Sequence, residues 1–125
     1  MKTNAAKYSL AKPDTATMLV VSTGHLTETD NHLLMTISTC FFEPGPWWGQ
    51  YHREQILGLV VYPMPYGFLI AVPNDSYGDW TSAWKAADLS DTLIALMEKA
   101  RLGKYDYVLF DQDGMVYTDL PDFEW

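Results

Sequence analysis

Two aspartates near the carboxyl end of the chain, Asp111 and Asp113, are the residues whose types and spacing most clearly suggest a catalytic site. They follow an apolar run at 107–110 and precede Gly114. A carboxylate can attack phosphorus, and a second one nearby can move a proton, when a divalent cation offsets the accumulating charge. His25 lies between a predicted strand and a predicted helix, where it could act as a general base or help to hold an anion. These residues define a catalytic hypothesis, a small metal-dependent hydrolase or phosphatase.

Residues 107–114 resemble the first motif of the haloacid dehalogenase-type phosphotransferases, an apolar strand followed by Asp-x-Asp-Gly. The resemblance implies a nucleophilic first aspartate, an acid/base second aspartate and a magnesium ion. That motif opens a Rossmann-like domain, whereas here only 11 residues follow Gly114, too few for the later motifs. Aspartate and glycine are also the usual residues of turns. We therefore predict a β-turn at 111–114, with no catalytic residue, cofactor or metal site, and a structural role for His25 in its own turn.

Composition and charge restrict the class of protein. The chain has 125 residues, of which 48% are hydrophobic and 19% charged, as expected of one folded domain. The formal net charge is −8 and no basic residue follows Lys104, which argues against direct binding of nucleic acid. Cys40 is the only cysteine, and there is neither a signal-peptide pattern nor an apolar run long enough to span a membrane. A cytoplasmic protein without a membrane association is expected.

Aromatic side chains are concentrated in two segments without helical or strand periodicity, residues 43–55 and 73–87. Tryptophan and tyrosine are enriched at the centres of protein interfaces, and acidic residues around such anchors speed association. We expect a protein partner of unknown identity, and a homodimer is an open alternative. The predicted binding residues are Trp47, Trp48, Tyr51, Trp80, Trp84, Asp111, Asp113, Asp119, Asp122 and Glu124.

The elements that must position these residues follow from hydrophobic periodicity. Residues 1–16 are predicted to be a flexible N-terminal arm and residues 17–125 a single α+β domain. Thr27 and Asp30 form a capping-box pattern, Asp88 is a good N-cap, and Gly103 is a good C-cap. Apolar runs predict strands at 18–22, 56–62, 66–72, 105–110 and 115–118, and helical spacing predicts helices at 27–40 and 88–103, with a helical turn near 81–87.

The order of these elements predicts the architecture. The sequence β-α-β-β-α-β is that of the ferredoxin-like split βαβ arrangement. We expect a single layer of mainly antiparallel sheet with both helices on one face, extended by a C-terminal strand.

Three short segments together are similar to a family of short bacterial proteins of unknown function, encoded on plasmids, prophages and other mobile elements. The segments are residues 22–27, 107–114 and 120–125, and the resemblance covers about residues 18–125. It implies a bacterial or phage-derived cytoplasmic protein with an accessory or anti-defence role, and it implies no catalytic residue. The sequence as a whole favours a non-enzymatic interaction or inhibitor module, with the hydrolase using Asp111 and Asp113 as the alternative.

Overall fold

The protein is an α+β domain, as predicted. The structure, a computed structural model, describes residues 9–42 and 56–125, so residues 1–8 of the predicted arm and 43–55 of the predicted aromatic loop lie outside it. Within that part of the chain, no helix is both long and apolar enough to cross a membrane. The elements are strands β1 (Met18–Ser22), β2 (Val61–Met64), β3 (Gly67–Ala71) and β4 (Tyr107–Asp111), and helices α1 (Glu28–Phe42), α2 (Trp80–Ala86) and α3 (Asp91–Leu102).

The four strands form one mixed sheet in the order β1-β4-β3-β2. β4 runs parallel to β1 and antiparallel to β3, and β2 runs antiparallel to β3. The ferredoxin-like arrangement and the mainly antiparallel sheet are therefore not confirmed, because the last strand enters between β1 and β3 and runs in the direction of β1. The long connection from β1 to β4 allows this parallel pairing, which a short hairpin could not make.

The prediction of a strand at 56–62 was wrong in its position. Residues 56–60 turn instead, with Gly58 at φ +75° and the Leu59 N–H donating to the Ile56 carbonyl at 3.1 Å. β2 begins at Val61 and contains Pro63. The proline fits because β2 is an edge strand and Pro63 occupies a register position whose nitrogen faces away from β3.

The predicted C-terminal strand at 115–118 was also wrong. Residues 112–125, here called the C-terminal segment, contain turns but no helix or strand. The segment lies against β1, where the Ser22 N–H donates to the Met115 carbonyl at 2.9 Å. No ladder develops there, because the next contact to β1 comes from a side chain, the Tyr117 hydroxyl on the Val20 carbonyl at 3.3 Å.

The helix caps were predicted in part. The Thr27–Asp30 capping box is present, with the Asp30 N–H donating to Thr27 Oγ1 at 3.0 Å and the Thr27 N–H donating to Asp30 Oδ2 at 3.2 Å. The N-cap of α3 is Ser90 and not Asp88, which adopts φ +70° in the turn before the helix. Gly103 is the C-cap of α3, as predicted.

The hydrophobic core lies between the helices and one face of the sheet. Alternate residues of the strands point to this face, and Val21, Phe110 and Val108 are fully buried there. The helices contribute residues such as Leu34 and Leu93, which are also inaccessible to solvent. The second face of the sheet takes no part in this cluster.

One buried carboxylate joins the two long helices. Asp30 has no exposed surface, and its Oδ1 accepts the Ser90 N–H at 2.8 Å while its Oδ2 accepts the Ser90 hydroxyl at 2.5 Å. Ser90 Oγ in turn accepts the N–H of Leu93 at 3.1 Å, which caps α3. The carboxylate thus faces the N-termini of both α1 and α3, where the helix dipoles favour a negative charge. Its buried oxygens are fully supplied with donors, as burial of a charge requires.

Replacement of the Asp30 side chain should remove the hydrogen bonds that link the N-termini of α1 and α3. We expect Asp30→Ala to lower the free energy of unfolding by about 3 kcal/mol, because donors of Thr27 and Ser90 are left buried without acceptors. Asp30→Asn should cost less, about half as much, because one oxygen remains to accept. Urea denaturation measures both, with Glu28→Gln in the first turn of α1 as the control, expected to change stability by less than about 0.5 kcal/mol. A cost below about 1 kcal/mol for Asp30→Ala would contradict this role for the carboxylate.

Candidate functional site

Residues 111–114 form the predicted turn at the end of β4. The Asp111 carboxylate is half-buried, and its Oδ1 accepts the N–H of Asp113 at 2.9 Å. The Gly114 N–H closes the turn on the Asp111 carbonyl at 2.8 Å. The turn is held against the β2–β3 hairpin by the Gln112 N–H, which donates to the Tyr66 carbonyl at 3.0 Å.

The two aspartates of this turn do not form part of a metal centre in the described part of the chain. Asp113 is exposed, and one oxygen of Asp111 is engaged by the turn itself. Among the described residues, no group of three or more histidine, cysteine, aspartate or glutamate side chains is placed to hold a metal ion. The geometry that a phosphotransferase needs, a nucleophile and an acid converging with a cation, is therefore not assembled by these residues.

His25 is a structural residue, which agrees with its predicted role in the turn. It closes a 3-10 turn (Thr23–His25) between β1 and α1 and is 1% exposed. Its Nδ1 lies 2.7 Å from the Pro121 carbonyl, and its Nε2 lies 2.9 Å from the Tyr117 N–H. A carbonyl can only accept and a backbone N–H can only donate, so these partners select the neutral tautomer with the proton on Nδ1. Both nitrogens are occupied, so His25 offers none to a substrate.

The C-terminal segment is bound to the β1–α1 connection by further hydrogen bonds. The Phe123 N–H donates to the Gly24 carbonyl at 2.8 Å, and Trp125 Nε1 donates to the Leu26 carbonyl at 3.0 Å. The predicted acidic binding residues of this segment, Asp119, Asp122 and Glu124, are exposed. The segment therefore presents three exposed carboxylates while hydrogen bonds hold it against the β1–α1 connection.

The aromatic binding residues do not form one surface in the described part of the chain. Trp80 and Trp84 are 4% and 0% exposed, so the prediction that they anchor a binding surface conflicts with their burial in the core. Their rings meet edge to face at 5.0 Å, and Trp84 Nε1 donates to the Leu57 carbonyl at 2.8 Å. The predicted anchors Trp47, Trp48 and Tyr51 lie outside the described residues.

In the described part of the chain, two carboxylates have a lowered pKa, and each shift is caused by neighbours on the same helix. Hydrogen bonds from Ser82, followed by Thr81, lower the pKa of Asp79, which caps α2. A hydrogen bond from Arg101 lowers the pKa of Glu98 in α3, three residues away. Local helix geometry explains both shifts, so neither indicates a reactive site.

A shallow groove of about 340 Å³ lies between α1, the β2–β3 hairpin and the C-terminal segment. Met35 and Tyr66 are among its exposed lining residues, at 53% and 61%. Its polar lining consists of hydroxyl and amide groups such as Thr23 and Asn31, with no charged side chain among the described residues that form it. The lining residues that the structure describes include hydroxyl groups but no titratable base beside them that could activate a nucleophile.

A more extensive apolar surface is the second face of the sheet, here called the open sheet face. The register aligns Val20, Leu109, Leu69 and Tyr62 in one row across all four strands. Among residues 9–42 and 56–125, no side chain of this face belongs to the hydrophobic core or is one of the partly buried side chains packed against it. The apolar members of the open sheet face are Met18, Val20, Tyr62, Met64, Leu69, Ala71, Tyr107 and Leu109, and Ser22, Gly67 and Asp111 complete it at the carboxyl ends of β1 and β4.

Sequence reasoning did not single out this face, although one signal was present. The run Phe68, Leu69 and Ile70 in β3 is apolar without alternation, which is typical of a strand covered on both faces. Only Phe68 and Ile70 are buried, and Leu69 is half-buried on the open sheet face. The run predicts a strand, but its composition does not indicate what would cover the second face of that strand.

The tautomer and the structural role of His25 can be tested together. Long-range ¹H–¹⁵N NMR spectra at neutral pH should show a pyrrole-like Nδ1 and a pyridine-like Nε2. His25→Phe should lower the free energy of unfolding by about 2–4 kcal/mol, because Tyr117 N–H and the Pro121 carbonyl lose their partners. The exposed His32 provides the control, and His32→Phe should change stability by less than about 0.5 kcal/mol. A proton on Nε2 would contradict the assignment.

Comparison with known proteins gives one match. No curated protein and no solved structure matches the chain. A family model described as the C-terminal domain of a family of unknown function, DUF5983, matches residues 18–125, which include all the strands and helices described above. The resemblance to an uncharacterised family is thereby confirmed. The chain belongs to the DUF5983 family, whose C-terminal domain it matches.

Proposed function

We propose that this protein is a non-enzymatic interaction module that binds a protein partner through the open sheet face. The observation that carries the proposal is that the row Val20, Leu109 and Leu69 is apolar and lies outside the core that residues 9–42 and 56–125 form. Contiguous exposed apolar surface is characteristic of interaction sites on proteins that are otherwise soluble.

The pattern of side chains along the strands supports this proposal. A sheet with one face in water normally alternates between apolar residues inside and polar residues outside. β3 and β4 instead carry Leu69 and Leu109 on the outer face, and Met18 on β1 is 48% exposed there. Removing such side chains from water contributes about 25 cal/mol for each Å² of apolar surface, so a partner that covers them would be stabilised by their burial.

Acidic residues border the same face at one end. Asp111 lies in the last row of β4 and Asp113 follows it in the exposed turn. Together with Asp119, Asp122 and Glu124 they would steer a cationic partner and speed association. Trp47, Trp48 and Tyr51 remain predicted anchors of the same interaction.

The family resemblance supplies the biological setting of the proposal. We propose a cytoplasmic protein of a bacterial mobile element that acts as an accessory or anti-defence factor by binding a host protein. The acidic border supports binding of a host protein with a cationic surface.

The proposal is tested by affinity capture with matched variants. Leu69→Thr keeps a strand-forming residue but removes apolar surface from the open sheet face, whereas Met115→Ser alters a residue that is 67% exposed in the C-terminal segment. We expect a partner retained by the wild type and by Met115→Ser, with recovery by Leu69→Thr reduced about tenfold. Quantitative mass spectrometry measures recovery, and circular dichroism verifies that each variant is folded.

Two results would contradict the proposal. One is equal recovery of every retained protein by the wild type and Leu69→Thr, which would show that the open sheet face takes no part. The other is loss of the same proteins with Met115→Ser, which would place binding on the C-terminal segment.

A further inference from the structure

We infer that protonation of His25 releases the C-terminal segment from the β1–α1 connection, so that the attachment of this segment depends on pH. The inference goes beyond the proposed function and does not depend on the open sheet face. Three observations carry it: the roles that its two partners impose on the ring nitrogens of His25, the burial of the ring, and the place where it holds the segment.

The hydrogen bonds of His25 require a neutral ring. Nδ1 carries the single ring proton toward the Pro121 carbonyl at 2.7 Å, and Nε2 accepts the Tyr117 N–H at 2.9 Å. A second proton would sit on Nε2 and point at the Tyr117 N–H, so two donors would face each other without an acceptor between them. The neutral ring therefore fits the attached segment, and the charged ring does not.

Burial of the ring strengthens this selection. His25 is 1% exposed, so water cannot solvate a charge on it while the segment stays attached. Within residues 9–42 and 56–125, no carboxylate accepts a hydrogen bond from either ring nitrogen. The Tyr117 ring lies 6.3 Å from the imidazole between centroids, and its hydroxyl donates to the Val20 carbonyl instead. A charged ring is accommodated only when the segment has moved away and Nε2 faces water.

The acidic groups of the surrounding elements do not remove this conflict. Both oxygens of Asp30 in α1 are bound by donors of Thr27 and Ser90. Asp122 lies beside Gly24, but its side chain is exposed, and attraction between exposed charges changes an equilibrium constant by less than about fivefold. The other carboxylates nearby are exposed or, for Asp111, engaged in a turn, and they are Glu28, Asp111, Asp113, Asp119 and Glu124.

His25 holds the middle of the C-terminal segment. Tyr117 and Pro121 lie on the two sides of the turn at 118–120, so one imidazole fixes both ends of that turn. The side chains of Tyr117 and Leu120 are partly buried against the core. Loss of the two His25 hydrogen bonds therefore frees the part of the segment that covers apolar surface at the end of β1, and release exposes that surface.

The direction of the pH dependence follows from proton uptake. The ring holds one proton in the attached state and can hold two in the released state, so release consumes a proton and is favoured as the pH falls. A histidine in water titrates at about pH 6.5, so a change from about pH 8 to about pH 5.5 should raise the ratio of released to attached segment about tenfold. Aspartates and glutamates in water stay mostly ionised over this range, because they titrate at about pH 4.

Hydrogen exchange of single amides, followed by NMR on the full chain, tests the inference. The readout is the protection of the Tyr117 and Phe123 N–H groups relative to that of Met97 in the middle of α3, with rates corrected for the intrinsic pH dependence of exchange. Phe123 donates to the Gly24 carbonyl, so it distinguishes release of the segment from loss of one hydrogen bond. Long-range ¹H–¹⁵N spectra of the same samples report the protonation of His25.

Two variants separate His25 from the other titrating groups. His25→Gln introduces an amide that can accept from one partner and donate to the other but does not titrate. His32→Gln changes the exposed histidine of α1 and is the matched control. We expect relative protection at Tyr117 and Phe123 to fall about tenfold between about pH 8 and about pH 5.5 in the wild type and in His32→Gln, and less than about twofold in His25→Gln.

Three results would overturn the inference. One is constant relative protection in the wild type, which includes the case in which Met97 loses protection equally because the whole domain unfolds. Another is the same fall in His25→Gln. The third is a rise in protection as the pH falls, which would show that attraction to Asp122 and its neighbours dominates. If His25→Gln does not fold, the wild type still decides, because a doubly protonated His25 ring with Tyr117 and Phe123 still protected contradicts the inference.

Discussion

The parallel pairing of β1 with β4 is the constraint on which the rest of the structure depends. Thr17 and Asp106 are 89 residues apart in sequence and are joined at 2.8 Å at the start of this pair. Closing so long a loop has an entropic cost, which the burial of Val21, Val108 and Phe110 on the paired strands offsets. Once β4 lies between β1 and β3, the carboxyl ends of β1 and β4 are adjacent. The chain leaving β4 must then run beside the chain leaving β1, and the hydrogen bonds of His25 to the C-terminal segment follow from that proximity.

The connection after β1 consequently ties together parts of the chain that are distant in sequence. Within six residues, His25 binds the backbone at Tyr117 and Pro121, and Asp30 binds Ser90 at the start of α3. Both side chains are buried, and both use their polar atoms fully. Such contacts contribute modestly to net stability but strongly penalise alternative arrangements, since any other docking leaves a buried donor or acceptor unpaired.

Features that depend on residues close in sequence were predicted correctly, whereas features that depend on residues distant in sequence were not. The Thr27–Asp30 capping box spans only four consecutive residues, and it was predicted correctly. That Asp30 also accepts from Ser90 could not be predicted, because only the tertiary fold brings the second helix to it. Asp88 and Ser90 are both residue types that favour the N-cap position. Asp88 adopts φ +70° in the turn before α3, and Ser90 is the N-cap. The direction of β4 relative to β1 is likewise set by a long crossover, on which local periodicity carries no information.

The predicted binding residues show the same limit, because composition does not indicate which side chains the tertiary fold buries. Trp80 and Trp84 were expected at a surface because they lie in an irregular stretch, yet a short helix turns both into the core. The open sheet face was missed because its members, such as Val20 and Leu109, are ordinary strand residues that become a surface only when registered across four strands.

The two faces of this sheet have different parts in the proposed function. Residues of one strand alternate between them, so Phe110 packs in the core while its neighbour Leu109 lies on the face that would bind the partner. An apolar sheet face endangers a small protein, because it can pair with its own copies. Here the edges are interrupted by Pro63 and by the C-terminal segment, and a net charge of −8 repels other copies. Under the proposed function, the same charge would favour a partner surface of opposite sign over a second copy of the chain.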